Sequence, residues 1–509
     1  MRKNLMLAAA VVGALSAVGS AQAATDVYVS GSSALRTFFV EDLASTICGL
    51  TPTAGTVFPF TGLVGWKLND SSVGANFVPD LSAYQCTAVA GNPSGTPTGE
   101  VVTLHYSAEL GSTWGVAQMY LGASTFKRAY LSPTNCGAGG AISLVTGSLK
   151  GQVSCTVTGY SHVTDTATTD TSSFLTQQVA DIAVSDVEPA LFTLNGGDNW
   201  PSANFNHALI PTKLGAAPTT AQAATAAAKM TPMAGQVFSI VANGVPGYPN
   251  SSNGLSLSVS SLRTILTTNN YSTWSQVPEV GSLDATGTPI NICRRDHGSG
   301  TEITTSVAFN GAECALDGAG GTILNGTVST YVGATPPYVY EAPSSADIKS
   351  CVENAPGSIG ILVVGATGGT NYQNVAISGV QANAHNAAAG IYPMALENWA
   401  GATNAQKSSN PTAYNAAAKL IGDAQDVTKL PSGVFGETVT AAIGTNGVSG
   451  GTGGTWTISS GIPSSYYAIS GLGSTSQTMT AAGFGAVQVV TEAVTRNGDS
   501  CTVLTNTNN

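Results

Sequence analysis

The chain has 509 residues, of which only 9% are charged, and a formal net charge of −11 at pH 7. That length is ample for two domains with separate cores. The acidic balance argues against nucleic acid and against anionic membrane surfaces, so any bound anion would have to be held by local dipoles and a few arginines.

Arg2 and Lys3 precede an apolar run from Leu5 to Val18, and Ala21-Gln22-Ala23 is a small-residue cleavage pattern. Residues 1–23 therefore read as a secretory signal peptide. The run is too short to span a membrane, no cysteine sits at the cleavage site to carry a lipid, and no other stretch is apolar and long enough to insert. A soluble protein of the periplasm or the extracellular space is expected. The eight cysteines fit that oxidising setting. None forms a Cys-x-x-Cys pair and no histidines cluster near them, so disulfides are expected, with no metal and no cofactor. Pairing of near neighbours gives Cys48–Cys86, Cys136–Cys155, Cys293–Cys314 and Cys351–Cys501.

Asp26 to Ser30 reads as a short buried strand ending in Gly31-Ser32-Ser33, before an amphipathic stretch from Ala34 to Ile47 with Leu35, Phe38, Phe39 and Leu43 at helical spacing. Residues 50–100 are rich in Pro, Gly, Ser and Thr and read as loops with short strands. Val101 to Tyr106 is a strand leading to Gly111-Ser112-Thr113-Trp114-Gly115 and the apolar run Val116 to Leu121. Ile182 to Val184 is a buried strand before Ser185-Asp186, Thr219 to Lys229 reads as a surface helix, Gln236 to Ala242 as a strand and Ser258 to Leu266 as a helix. A strand at Pro289 to Ile292 leads into Arg294-Arg295-Asp296-His297-Gly298-Ser299-Gly300-Thr301 and a helix from Glu302 to Phe309. A further strand is expected at Gly360 to Val364, a helix around Thr412 to Ile421, and β structure with loops in the tail. Short apolar strands alternating with helices imply α/β layers with mostly parallel sheets.

The segment from Arg294 to Thr301 carries the most chemistry. Backbone N–H groups at a helix start point outward unpaired, glycine lets them come close to a ligand, and Ser299 and Thr301 add hydroxyls. Arg295 adds a fork of donors suited to a tetrahedral oxyanion. The alternative is a Gly-Ser turn with surface arginines, and Arg294 reads as facing outward. Asp186 could equally cap the element after it, Ser112 could be a plain turn residue, and Ser32 and Ser33 could cap the first helix. His105, His207 and His385 are isolated and read as structural or surface residues. Asp296, His297 and Ser299 are neighbours in sequence, which does not make a catalytic triad. With no His-Glu-x-x-His, no carboxylate cluster for two metals and no nucleophile elbow, no enzyme activity is expected.

In this order the motifs at Gly31-Ser32-Ser33-Ala34, Gly111 to Gly115, Ser185-Asp186, Val241-Ala242-Asn243, Arg294 to Thr301, Pro356-Gly357-Ser358-Ile359-Gly360 and Ile377-Ser378-Gly379-Val380 resemble the periplasmic phosphate-binding proteins of ABC transporters, from about residue 25 to about residue 425. The resemblance implies a two-domain α/β fold of the periplasmic-binding-protein type II kind, with the ligand in the interdomain cleft. Residues 24–243 with 366–509 would form domain I, carrying insertions at about 50–100 and 122–170 and a β-rich tail from about 430; residues 244–365 would form domain II. Ser33, Ala34 and Leu35 would meet the anion, the latter two through backbone N–H groups. Ser112 would donate its hydroxyl, and Asp186 would accept a proton from a protonated oxyanion and so reject ionised sulfate. Arg295 would pair with the anion, and Ser299, Gly300 and Thr301 would close the cradle.

The chain departs from that pattern beside the arginine. The family usually carries an aspartate there; this chain has His297, with Asp296 one place earlier. Both would stand behind Arg295, and the exchange leaves phosphate specificity open. The expected partner is inorganic phosphate or a similar oxyanion, for ABC transport (through a transporter permease) or for scavenging. A monomer is expected. The competing expectation is a secreted or surface structural or adhesion protein on the same fold, which would self-associate.

Overall fold

The computed structural model describes residues 24–424 except 51–57, 73–78, 110, 122–125, 146–147, 162–163, 198–199, 201–213, 215, 253, 268–269, 296–297, 311–326, 329–335, 343, 365–370, 383–385 and 388–391, together with short strands between 466 and 506. Two mixed sheets carry the site. Their main strands are β1 (Thr25–Gly31), β2 (Val101–Ser107), β3 (Ile182–Ser185), β4 (Thr231–Asn243), β5 (Asn291–Arg295), β6 (Ser358–Val363), β7 (Gln373–Ile377) and β8 (Ala395–Ala402). Among the described residues the main α-helices are α1 (Arg36–Asp42), α2 (Ser112–Tyr120), α3 (Thr220–Ala227), α4 (Val259–Thr267), α5 (Gly300–Thr305), α6 (Ser345–Asn354) and α7 (Pro411–Ala424).

β1 is central to the first sheet because both of its faces are apolar. Val27 and Val29 enter a core with Phe38, Phe39 and Leu43, while Tyr28 stacks on His105 on the opposite face. β1 runs parallel to β2 on one side and β3 on the other; β3 pairs antiparallel with β8, and β8 with the first half of β4. α7 closes the core with Ala413, Ala416, Ala417 and Leu420, which share one helical face. In the second sheet, β4 pairs antiparallel with β6 and β7, and β6 pairs parallel with β5. Val237, Ile240, Trp274, Ile292, Ile359 and Val375 belong to its core.

β4 is continuous through both sheets: Val237 still pairs with β8, and Phe238 already pairs with β6. The register of β4 against β8 shifts between Pro232 and Gly235, next to a proline with no N–H to give the ladder.

The architecture is α/β, but the antiparallel pairings of β4 and β8 make the sheets more mixed than the alternating pattern implies. Residues 50–100 also differ from the expectation of loops with short strands. Phe58–Asp70 and Leu81–Thr87 form an antiparallel extension on β2. Glycine and proline mask the strand period there.

Cys48–Cys86 and Cys136–Cys155 are disulfides, and the third described bridge is Cys293–Cys351. The expected Cys293–Cys314 and Cys351–Cys501 pairs are thereby corrected; Cys314 and Cys501 lie outside the described residues. The cause is the crossover: α6 folds back over β5 and β6, so that a Cβ on Gly360 of β6 would sit 2.6 Å from Val352 of α6 and 3.0 Å from the Cys293 carbonyl. Neighbours in the fold replace neighbours in the sequence.

Where α1 meets α7, the Asp42 carboxyl is pushed up to about 8, first by burial and then by the Asp423 carboxylate, against the Thr46 hydroxyl and the Lys419 ammonium. Burial likewise pushes Asp181, beside β3, up to about 7. Both sit above an unfolded value near 3.9, so between the two values the folded state binds more protons. Stability is then present at low pH and lost as pH rises through 7 to 8. The melting temperature at pH 8.5 should lie below that at pH 5.5 by on the order of 5 °C, at roughly 2–4 °C per kcal/mol, with Asp42→Asn removing part of the difference. A melting temperature that rises with pH over this range would contradict the assignment.

Candidate functional site

The first side of the site is built where β1, β3 and α2 meet. Gly31 (φ +127°) and Gly115 both press on the Val184 carbonyl: an added Cβ would lie 1.9 Å from that oxygen in either case. This close seating brings the start of α2 onto the end of β3. Gly111 (φ +57°) turns the chain into α2, with Ser112 as its first residue. The Asp186 N–H donates to Ser112 Oγ at 2.9 Å. The Ser32 hydroxyl donates to Asp186 Oδ1 and accepts from the Ala34 N–H at 3.0 Å.

The second side is the loop between β5 and α5. The Gly298 carbonyl accepts from both the N–H and the hydroxyl of Thr113, at 3.1 and 2.7 Å, which docks the loop on α2. Gly300 then lies against the first side so closely that a Cβ would stand 2.3 Å from Asp186 Cβ and 2.7 Å from Ser112 Oγ. Arg295 Nη2 would be 3.5 Å from a Cβ on Gly111, and Nη1 donates to Ser345 Oγ at 3.2 Å. Ser299 caps α5 in extended conformation, but its side chain makes no capping bond; its Oγ is buried with no hydrogen-bond partner among the described residues. A buried hydroxyl left this way is costly unless something else accepts or donates to it.

The Asp186 carboxyl is pushed up to about 6 by burial; the Ser32 hydroxyl, the Arg295 charge and the Ser112 hydroxyl pull it back. It is therefore poised to take or share a proton near neutral pH. Further acids lie near Arg295: Asp347 feels its charge together with those of Glu109 and Asp80. Asp80 accepts from Arg36 and, through its N–H, donates to Glu109 Oε1. Asp347, on α6, is 2% exposed. A cation-rich pocket would take any anion, whereas one with this many carboxylates favours an anion that brings a proton or meets one already there.

Of the residues expected from the sequence, Ser112, Asp186, Arg295, Ser299 and Gly300 lie together, and Thr301 follows Gly300 on the first turn of α5. Leu35 opens α1 and is 1% exposed, beside half-buried Ser33 and Ala34. The Ala34 N–H, expected to point at a ligand, is instead taken by Ser32 Oγ, because the tight turn after β1 folds the serine back. Arg294 is only 4% exposed rather than outward-facing, since β5 lies between β6 and Tyr338–Ala342. Asp296 and His297 lie outside the described residues.

Glu109, Ser345 and Asp347 were not anticipated, and Ser32, weighed between a helix cap and a site residue, bonds Asp186. Ser344-Ser345-Ala346-Asp347 does carry a signal, a helix cap with an acid three residues on, but a cap is all it announces. Among the described residues no cluster of three His, Cys, Asp or Glu is placed to hold a metal ion, and no helix is long and apolar enough to cross a membrane.

No protein-family model matches the sequence, and no curated protein matches it. Solved structures overlap it in part. A phosphate-binding protein from Stenotrophomonas maltophilia is 14% identical with a TM-score of 0.31, the overlap covering 54% of this chain and 79% of that one. A protein from Clostridium perfringens assigned to phosphate ABC transport as its substrate-binding protein, with bound phosphate, is 16% identical with a TM-score of 0.27, over 40% of this chain and 67% of that one. An ABC-type phosphate transport receptor from Vibrio cholerae is 15% identical with a TM-score of 0.25, and this chain spans only 65% of its length. At such scores the overlap concerns parts of the fold and does not extend to ligand or partner.

Proposed function

We propose that the chain is an exported binding protein that captures phosphate or a related oxyanion in the cleft where the two sheets meet, for ABC transport or for scavenging. In this reading the first sheet with its helices forms one domain, and the second sheet, including β7 and the second half of β4, forms the other. The observation that carries it is the convergence at Gly300. A glycine-lined backbone, a guanidinium and a buried hydroxyl with no partner among the described residues, all from the second side, meet a serine and a proton-poised carboxyl from the first. Donors arranged around one point suit the several oxygens of an oxyanion. Asp186 supplies the selectivity: a protonated oxyanion donates to it, and a fully ionised one meets a buried negative charge.

The competing reading is a structural protein whose cleft is locked. The direct contact of Gly300 with Asp186 favours it to this extent: the two sides need no ligand between them at that point. Calorimetric titration of phosphate into the ligand-stripped chain separates the two. We expect sub-millimolar binding with sulfate silent, weakened at least ~10-fold by Arg295→Ala through loss of a charged hydrogen-bonding group. No heat from a folded monomer would exclude phosphate as the ligand, and no heat from a large assembly would favour the structural reading.

A further inference from the structure

Arg295 ends β5, and the strand beside it, Tyr338–Ala342, leads through Ser344 into α6. The two strands are parallel with Arg295 opposite Ala342, so the end of β5 and the start of α6 share one edge of the second sheet. There Arg295 Nη1 donates to Ser345 Oγ, 3.2 Å away on the first turn of α6. Asp347 lies on that same turn and is 2% exposed. Ser344 fixes it from both ends, accepting from the Asp347 N–H at 3.2 Å and donating to Oδ2 at 2.6 Å.

The Asp347 carboxyl feels the attraction of Arg295 and the repulsion of Glu109 and Asp80. Those two acids belong to the opposite side of the cleft. Glu109 comes just before the turn into α2; Asp80, paired with Arg36, precedes the strand Leu81–Thr87. Asp347 thus competes with any bound anion for Arg295, and it opposes the approach of two carboxylates from across the cleft.

We infer that Asp347 is a positioning residue for Arg295, and that its protonation tunes how strongly the cleft holds an oxyanion. This inference rests on the reading of the cleft as an oxyanion site. Burial pushes the Asp347 carboxyl up to about 7 against the pull of the Ser344 hydroxyl and Arg295, with Glu109 and Asp80 adding to the rise. An ionised Asp347 draws Arg295 onto α6. A protonated one leaves the guanidinium to the ligand and removes a repulsion across the cleft. Because a bound anion adds negative charge nearby, it makes Asp347 harder to ionise. Binding therefore takes up a proton, and affinity rises as pH falls through 7. Asp186 titrates in the same cleft, near 6, and phosphate itself titrates, so the contribution of Asp347 is read as the difference between the chain and its variants.

The test is calorimetric titration of inorganic phosphate into the full mature chain, from about pH 6 to about pH 8.5, in buffers of different ionisation heat, with Asp347→Asn and Asp347→Glu alongside. The chain should take up roughly half a proton more per phosphate at pH 7 than Asp347→Asn, and its affinity should fall more steeply with pH; Asp347→Glu should restore most of both. Equal proton uptake and equal slopes in the chain and Asp347→Asn would overturn the inference. A second readout needs no ligand: in arginine-labelled protein, the Arg295 guanidinium resonances should shift with a midpoint near pH 7 and lose that shift in Asp347→Asn. If the chain binds no phosphate at all, the cleft reading fails, and this second titration still decides whether Asp347 governs Arg295.

Discussion

An alanine at Gly300 is expected to weaken oxyanion binding by roughly 5- to 150-fold, the equivalent of about 1–3 kcal/mol of overpacking, and to lower the melting temperature by roughly 2–4 °C for each kcal/mol of that strain the ligand-free chain retains. The added methyl would stand 2.3 Å from Asp186 Cβ, 2.7 Å from Asp186 Oδ2 and 2.7 Å from Ser112 Oγ. All three atoms are held: Asp186 by Ser32, and Ser112 by the Asp186 N–H and the first turn of α2. The clash therefore falls on the arrangement that brings both sides together and spares each side alone. Titration of phosphate and a melting curve on the same sample make the comparison. An unchanged affinity in Gly300→Ala would mean that the ligand does not need this contact, and the cradle would have to be placed elsewhere.

Gly115→Ala should do the opposite, damaging the fold first. On an ordinary helix this exchange stabilises by up to ~1 kcal/mol. Here the new Cβ would lie 1.9, 2.6 and 2.9 Å from the oxygen, carbon and nitrogen of Val184, all of them backbone atoms of β3 with no rotamer to escape into. α2 would have to lift off the sheet, so we expect a loss of at least ~3 kcal/mol, the upper end for ordinary overpacking. The denaturation midpoint should fall clearly below that of the parent chain. The sign is decisive, because a midpoint that stays or rises would mean that α2 is not seated on β3 in this way. Phosphate affinity should fall with it, since that seating holds Ser112 against Asp186.

How much of this was legible beforehand varies with how local the signal is. β1, β2 and α7 announce themselves by apolar spacing because their partners lie on a fixed face. The Gly111 and Gly298 to Gly300 turns could be located because glycine is needed where backbone approaches backbone. The extension Phe58–Asp70 could not, because Gly62 and Gly65 interrupt its period. Gly65 is small for a reason visible only in three dimensions: a Cβ there would meet Ile142 Cδ1 at 2.6 Å. The Cys293–Cys351 bridge was hidden because sequence distance says nothing about a crossover helix. Asp347 was hidden behind its own local bonds, and Ser32 stood undecided between a cap and a site residue. A serine after a strand and an acid in a first helical turn look like caps, and their place beside Asp186 and Arg295 depends on which elements are neighbours in space.

The passage of β4 from one sheet to the other limits how the two sheets can shift against each other. A slide of one sheet past the other by a single residue would turn every side chain of the strand to the wrong face, in a ladder whose two faces are both buried. With both ladders intact, translation is forbidden and only rotation remains. Any displacement of one sheet against the other that keeps both ladders must therefore be a twist or bend at Val237 and Phe238, where the partner of β4 changes from β8 to β6, so that the strand would act as a torsion bar.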